Sequence, residues 1–263
     1  MPKVNLHTIL QCTCGGEIEF TSKISCKKCG YLYEKNDGVI DLTTAEQRSK
    51  YEEIYKSETL SNLISGFYDI ISPVMCSTVW RCSPIRFIDQ THHVLGQSKN
   101  GILLSLPVAT GALIKLASSQ YHNVQIVGVD TSMKMLKKAA KQFRNQDNVL
   151  LIRAFPNELP FKDNVFKGVQ SLNGLHGFDN RVSVYEEFVR VMKPNAMLHG
   201  TTIVHGNIKM ADLVLEQYQN FGVSPPLRKI AFLMDEISRS GFSAPNFETH
   251  GAVAFFNAQS SKL

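Results

Sequence analysis

Four cysteines near the start of the chain have the spacing of a metal site. Two of them form C-x-C, and eleven residues later two more form C-x-x-C, with glycine directly after each pair. Thiolates on two tight turns can surround one tetrahedral Zn²⁺, and glycine lets the backbone turn so that amide N–H groups face sulfur. Four unrelated free thiols or two disulfides are the alternatives. The spacing therefore predicts a structural zinc site formed by Cys12, Cys14, Cys26 and Cys29.

A second candidate site lies between residues 101 and 130. An apolar run, a turn of small residues ending at Gly111, a helical pattern and a second apolar run ending at Asp130 follow one another. This order predicts strand, turn, helix and strand, with the turn beside the acidic strand end at the carboxyl edge of a parallel sheet. Asp130 lies 19 residues after Gly111, close to the interval of about 20 residues at which a carboxylate binds ribose hydroxyls. The pattern predicts a nucleoside site, although a structural unit with an incidental aspartate has the same pattern.

Composition limits the class of protein. The chain has 263 residues, of which 43% are hydrophobic, enough to bury a full core. Six cysteines without a recognisable signal peptide favour a reducing, cytoplasmic compartment. Apolar runs stay below the 18 or more residues of a membrane span, so no span is expected. The net charge of +5 permits an anionic partner without requiring one, and the C-terminal Ser-Lys-Leu matches a peroxisomal address that arises easily by chance.

Alternating strands and helices must position the nucleoside site. Strands are predicted at 102–106, 124–129, 149–152, 165–172, 197–204, 246–250 and 252–258, and further helices at 133–143, 184–192 and 227–240. Strands that alternate with helices and end in a hairpin predict a doubly wound α/β domain.

The segment before this domain has a different pattern. It is rich in aromatic residues and Met, and it is interrupted by Pro73 and Pro84. Two or three short helices fit it, with Thr43 or Thr44 as the first N-cap, and they would form a lid over a substrate pocket. The predicted division is a zinc-ribbon-like module at 1–43, a helical lid at 44–99 and an α/β domain at 100–263.

Several ordered motifs carry a family resemblance. They are ILLSLPVATG, VGVDTSMKML, NELPFKDNVFKGVQS, LHGF and YEEFVRVMKPNAML. Together they resemble class I S-adenosylmethionine-dependent methyltransferases, in the branch that includes ubiquinone and menaquinone C-methyltransferases. The match spans residues 100–258, and with the Cys-rich leader the whole chain is similar to methyltransferases with an N-terminal zinc-ribbon-like segment. The resemblance implies a Rossmann-like, seven-stranded sheet and S-adenosylmethionine as the methyl donor.

The resemblance also implies roles for individual residues. Asp130 would hold the ribose diol, Thr131 and Met135 would lie near the adenosine, and Asn173 would face the methyl group. Tyr68 in the lid would touch the carboxylate of the donor, and His176 is the candidate base for a carbon or phenol acceptor. The full set of implied donor-binding residues is Leu106, Pro107, Ala109, Gly111, Asp130, Thr131, Met135, Phe155, Pro156 and Asn173.

The chain departs from the family pattern at charged positions. Ser105 replaces the acidic residue of the first strand, Phe155 replaces the aspartate that receives the adenine amino group, and Lys167 replaces the aspartate before the fourth strand. Each lost charged hydrogen-bond partner costs on the order of 1.5 to 3 kcal/mol. The pocket therefore either binds the donor through other contacts or no longer binds it.

Three functions fit these observations. The first is methyl transfer to a small apolar or aromatic molecule under the lid. The second is methylation of an rRNA base, with the ribbon as recognition module. The third is a non-catalytic protein that uses the fold to bind a partner. Residues 1–43 contain five Lys and five Asp or Glu, and this balance counts against a nucleic-acid partner.

Overall fold

A computed structural model describes residues 6–54, 58–175, 180–220, 229–243 and 245–262. The first part of the chain contains α1 (Leu6–Ile9), β1 (Ile18–Phe20), β2 (Ile24–Cys26), β3 (Leu32–Asn36), β4 (Val39–Asp41), α2 (Ala45–Ile54), α3 (Glu58–Thr78) and α4 (Ile85–Gln97). The remainder contains β5 (Ile102–Ser105), α5 (Ala112–Ser118), β6 (Gln125–Asp130), α6 (Met133–Phe143), β7 (Val149–Arg153), β8 (Phe166–Leu172), α7 (Arg181–Val191), β9 (Met192–Ile203), α8 (Lys209–Asn220), α9 (Ile230–Arg239), β10 (Asn246–His250) and β11 (Val253–Gln259).

The predicted seven-stranded α/β sheet is confirmed. Its strands follow the order β7-β6-β5-β8-β9-β11-β10. The first five run parallel, whereas β11 is antiparallel to β9 and forms a hairpin with β10. The chain winds to one side of β5 and then returns to the other, so the strand order reverses between β5 and β8. A crevice at this switch point is where ligands bind in open α/β sheets.

Helices cover both faces of the sheet because strand side chains alternate between two cores. Leu103 and Ile126 face a cluster built with α4, α5 and α6, whereas Leu104 and Val127 face a cluster built with α7 and α9. Alternation along buried strands is the expected consequence of their two-residue repeat.

The N-terminal segment continues the same sheet. Strand β4 pairs in parallel with β7, and β3, β2 and β1 extend the sheet beyond it as an antiparallel meander. All three residues of β4 are buried, and Ile40 and Leu42 join the larger core cluster. The ribbon therefore shares a core with the sheet.

The lid segment forms three helices, and one of them contains a predicted helix break. Pro84 lies at the start of α4, but Pro73 lies inside the 21-residue α3, so the expectation that Pro73 interrupts the helix was wrong. Residues after Pro73, including Met75, Cys76 and Val79, pack in an apolar cluster with β9 and α8. This packing offsets the single helix hydrogen bond that proline removes.

Helix termini follow local rules in one case and tertiary demands in another. Thr44 caps α2, since the Gln47 N–H donates to its hydroxyl at 3.1 Å and the Thr44 N–H donates to the Gln47 carboxamide at 2.8 Å. The helix predicted at 184–192 corresponds to α7, which ends at Val191, and the chain passes from there directly into β9.

Gly111 ends the loop that follows β5, and it packs closely against the ring of Phe143. Its φ is 78°, and an added Cβ would overlap the ring of Phe143. We expect Gly111→Ala to lower the free energy of unfolding by about 2 to 5 kcal/mol, from overpacking and left-handed strain together. Urea denaturation measures the change. The matched control is Gly206→Ala, where φ is 97° but the described residues leave open space, so only the strain should appear.

Candidate functional site

A cavity of about 230 Å³ lies at the switch point of the sheet. Helix α3, the start of α4 and α5 form its walls, and the carboxyl ends of β5 and β8 form its floor. Phe87, Leu113 and Leu172 contribute apolar surface, and polar groups come from a smaller set of residues. These include Tyr68, Asp69, Ser72, Ser105, Thr110, Gln170 and Asn173.

The loop after β5 adopts the required turn without the usual glycines. Ala109 has a φ of 50°, in the left-handed region that glycine normally occupies. Pro107 and Ala109 line the cavity, whereas the Leu106 side chain lies in the apolar core. Gly174 complements Pro107, since a side chain at Gly174 would overlap the proline ring. Pro107 and Ala109 stand where the family pattern has glycines. Gly174 leaves room for the Pro107 ring, and Ala109 itself adopts the left-handed conformation.

The carboxylate of Asp130 is buried and held by main-chain donors. The Ala109 N–H donates to Oδ2 and the Ser132 N–H donates to Oδ1, both at 2.9 Å. Burial raises the pKa of Asp130 to about 6, although these amides and the nearby Arg153 favour the ionised form. Each carboxylate oxygen has a second lone pair. The group can therefore accept further hydrogen bonds from two hydroxyls.

The other residues predicted for the nucleoside end lie near Asp130 in the sheet, and neither they nor Asp130 are among the residues that line the cavity. Ser132 caps α6 by accepting from the Met135 N–H at 3.4 Å, which places Met135 in the turn that also contains Thr131. Phe155 and Pro156 follow β7 and are buried. Their strand is the direct neighbour of β6, so they adjoin Asp130 at the same edge.

A hydrogen bond connects α3 of the lid to the loop that follows β5. The Thr110 hydroxyl donates to the Asp69 carboxylate at 2.5 Å, which joins α3 to the loop after β5. Tyr68 precedes this contact and lines the cavity, and burial raises the pKa of its phenol. The Tyr68 phenol therefore keeps its proton at neutral pH and can donate a hydrogen bond. His176, the predicted base, lies outside the described residues.

Asn173 directly follows β8 and lines the cavity. The hydroxyl of Thr201 donates to its amide oxygen at 3.1 Å, and its backbone N–H donates back to that hydroxyl at 2.9 Å. The amide NH₂ group and the second lone pair of the amide oxygen remain to bind a ligand.

Gln170 is a cavity residue that the sequence analysis missed. It is 2% exposed, and its Nε2 donates to the Thr91 hydroxyl at 3.3 Å. Thr91 gives its own hydrogen to the Phe87 carbonyl at 2.8 Å, so its oxygen can only accept and the Gln170 nitrogen must face it. The Gln170 Oε1 is then buried without a partner among the described residues. Gln170 lies opposite Ser105 in the register of β5 and β8, a neighbourhood that only the structure reveals.

The four N-terminal cysteines converge. Their Sγ atoms all lie within 4.8 Å of one another, with Cys12 and Cys29 3.8 Å apart and Cys14 and Cys26 3.5 Å apart. Zn–S bonds of about 2.3 Å in a tetrahedron place sulfurs about 3.8 Å apart. A disulfide needs about 2.05 Å. The cluster therefore has the dimensions of a four-thiolate metal site.

Comparison with known proteins identifies the family. Residues 104–199 match the family profile described as "Methyltransferase domain". The chain is 30% identical over 200 residues to the "Ubiquinone/menaquinone biosynthesis C-methyltransferase UbiE" of Desulfotalea psychrophila, across 74% of this chain and 76% of that protein. The chain belongs to the class I S-adenosylmethionine-dependent methyltransferases. S-adenosylmethionine is accordingly the ligand expected at this site. The Gln170 Oε1, which is buried without a partner among the described residues, fits a ligand that carries N–H donors.

Other methyltransferases support the assignment. The chain is 31% identical over 142 residues to the demethylmenaquinone methyltransferase of Lactiplantibacillus plantarum, spanning 51% of this chain and 60% of that protein. Its fold is similar to a phosphoethanolamine N-methyltransferase of Haemonchus contortus solved with S-adenosylmethionine, with a TM-score of 0.59, 14% identity and coverage of 68% and 53% of the two chains. Among the helices of the described residues, none combines the length and apolar character needed to cross a membrane.

Proposed function

We propose that this methyltransferase transfers a methyl group to a ring carbon of a small hydroquinone-type molecule. The observation that carries the proposal is the 30% identity to a quinone C-methyltransferase across three quarters of both chains. The cavity supports it, since its apolar walls suit an aromatic ring and its few polar groups suit orientation. We further propose that the lid at 44–99 encloses this acceptor, next to the donor domain at 100–263.

The nucleoside half of the donor is assigned to the edge beside the cavity. Asp130 accepts hydrogen bonds from the ribose hydroxyls through its free lone pairs, and Thr131 and Met135 border the adenosine. Phe155 and Pro156 offer an apolar surface to the adenine ring, in place of the missing aspartate.

The methionine half is assigned to the cavity itself. It lies over the loop from Leu106 to Gly111, whose Pro107 and Ala109 face it. The Gln170 Oε1 accepts a hydrogen bond from the ammonium group, a neutral substitute for the carboxylate that Ser105 lacks. The donor supplies a methyl group on a sulfonium, so transfer is an in-line displacement that depends on orientation. Asn173 orients the acceptor with its amide NH₂ group.

A ring carbon becomes nucleophilic when the adjacent hydroxyl loses its proton. His176 is the residue that the sequence predicts for this step. Tyr68 stays protonated and donates a hydrogen bond, in keeping with its buried phenol. Among the described cavity residues Asp69 is the carboxylate, and it gives the released proton a route to solvent.

Binding both substrates requires the lid to move. The cavity of about 230 Å³ is smaller than the roughly 300 to 1,000 Å³ of typical ligand sites. Helix α3 borders it, so outward movement of α3 must break the hydrogen bond between Asp69 and Thr110 and the apolar contacts of Met75 and Cys76.

We also propose that Cys12, Cys14, Cys26 and Cys29 bind a structural Zn²⁺ in the module at 1–43. We expect one zinc per purified chain, and removal by a chelator should lower the melting temperature because the ribbon shares its core with the sheet. Elemental analysis and thermal melting measure both. Cys29→Ala should lose the metal, whereas Cys82→Ala, the control, should keep it. Full zinc content in Cys29→Ala would contradict the site.

Donor binding should depend on pH through Asp130. Its pKa of about 6 means that the carboxylate is ionised above pH 6 and protonated below it. The dissociation constant of S-adenosylhomocysteine should therefore rise as pH falls from 7.5 to 5, approaching about tenfold per pH unit below 6. Burial raises the pKa of the nearby Tyr68 phenol, so this group keeps its proton in the same range. Calorimetry measures the change, and Asp130→Asn should bind weakly with a flat profile. An unchanged wild-type affinity at pH 5 would contradict the role of Asp130.

The acceptor is tested by direct methyl transfer. We expect the protein to convert S-adenosylmethionine and a demethylated naphthohydroquinone with a short isoprenoid chain into a ring-methylated product. Mass spectrometry and NMR identify the product and the methylated atom, and Asp130→Asn is the inactive control. Methylation on oxygen, or donor binding without transfer to any hydroquinone, would refute the proposed reaction.

A further inference from the structure

We propose that the ribbon is part of the donor site, through Asp41. Asp41 is the last residue of β4, and we infer that it positions the turn at Asp130 and Thr131 by holding Arg153. This inference rests on the proposed role of Asp130 in binding the ribose. It assigns the ribbon a function beyond its own folding.

The sheet register brings the three strand ends together. Strands β4, β7 and β6 run parallel in adjacent positions. Asp41 is the register partner of Arg153, and Arg153 is the register partner of Asp130. Because carboxyl ends of parallel strands share one edge, the ribbon adds an acidic strand end beside the one that binds the nucleoside.

Arg153 connects the two acidic strand ends. Its Nη1 lies 3.2 Å from Asp41 Oδ2, and its Nε donates to the Thr131 carbonyl oxygen at 2.9 Å. Asp41 is 8% exposed, so this ion pair is shielded from solvent. A partly buried guanidinium that bridges a carboxylate and a carbonyl has a defined orientation.

The Thr131 carbonyl and the Ser132 N–H belong to the same planar peptide group. When Arg153 holds the carbonyl on one side, the N–H points to the other side, where it donates to Asp130 Oδ1 at 2.9 Å. Asp41 therefore acts on the Asp130 carboxylate through a single peptide plane. Rotation of this plane would remove one of the main-chain donors that orient the carboxylate.

Asp41 is itself firmly held. Its Oδ1 accepts from the Thr43 N–H at 3.0 Å and from the Thr43 hydroxyl at 2.6 Å. Arg48 of α2 donates to the Thr43 carbonyl at 3.2 Å and lies 3.7 Å from Asp41 Oδ2. Loss of the Asp41 charge would leave Arg48 and Arg153 close together without the carboxylate that separates them.

The test compares Asp41→Asn with Glu34→Gln. Glu34 lies opposite Asp41 in the β3–β4 register, but it is exposed, so the same chemical change there is the matched control. We expect the dissociation constant of S-adenosylhomocysteine, measured by calorimetry at pH 7.5, to rise about tenfold in Asp41→Asn and to stay unchanged in Glu34→Gln. Zinc content should equal that of the wild type in both variants.

A second variant separates positioning from general stability. Arg153→Lys keeps a cation beside Asp41 but removes the Nε donor to Thr131, so it should weaken donor binding to a similar extent. Because Asp41 acts through Arg153, adding Asp41→Asn to Arg153→Lys should weaken binding no further. If Asp41→Asn fails to fold, Arg153→Lys alone decides the matter.

The outcomes separate this inference from the proposed function. Wild-type affinity in folded, zinc-loaded Asp41→Asn or in Arg153→Lys would overturn the inference and leave the donor site in place. Additive losses in the double variant would overturn the route through Arg153. If the wild-type protein itself binds no S-adenosylhomocysteine, the proposed donor site fails instead.

Discussion

A buried carboxylate held by main-chain amides is the interaction on which the site depends. Burial disfavours the charge of Asp130, and the N–H groups of Ala109 and Ser132 offset that cost. One amide belongs to the loop after β5 and the other to the turn that starts α6. The need to satisfy one charge therefore joins the two segments that border the donor, and it sets their separation.

The departures from the family pattern become intelligible around this interaction. Ala109 adopts a left-handed conformation in place of glycine, and the Pro107 ring fills the space that Gly174 leaves open. Gln170 brings a neutral acceptor to the floor where Ser105 offers no charge. A neutral hydrogen bond contributes about 0.5 to 1.5 kcal/mol against 1.5 to 3 for a charged one. In the proposed donor site, the neutral Gln170 contact is therefore weaker than a charged one, and rigid support of the remaining contacts matters more.

The N-terminal ribbon is proposed to give that support through Asp41. It also covers one edge of the parallel sheet. Without β4, strand β7 would expose a row of unpaired main-chain groups at the edge of the parallel sheet. The short β4 covers this edge, and the antiparallel meander of β1 to β3 shields it further. In the proposed zinc site, metal bound by the cysteine cluster would stabilise turns too short to form a core of their own, next to the three buried residues of β4 that pair with β7.

The sequence by itself determined the alternation of strands and helices, Asp130 at the end of β6, and the clustered cysteines, because apolar periodicity and short spacings are local properties. It missed α8, whose exposed Met210 and Leu213 blur the amphipathic pattern. Only the tertiary structure decided that β4 joins β7 and that Arg153 faces Asp41, 112 residues away. Contacts of this kind depend on which strands become neighbours. The apolar pattern of a three-residue strand is too short to predict which strand it will pair with.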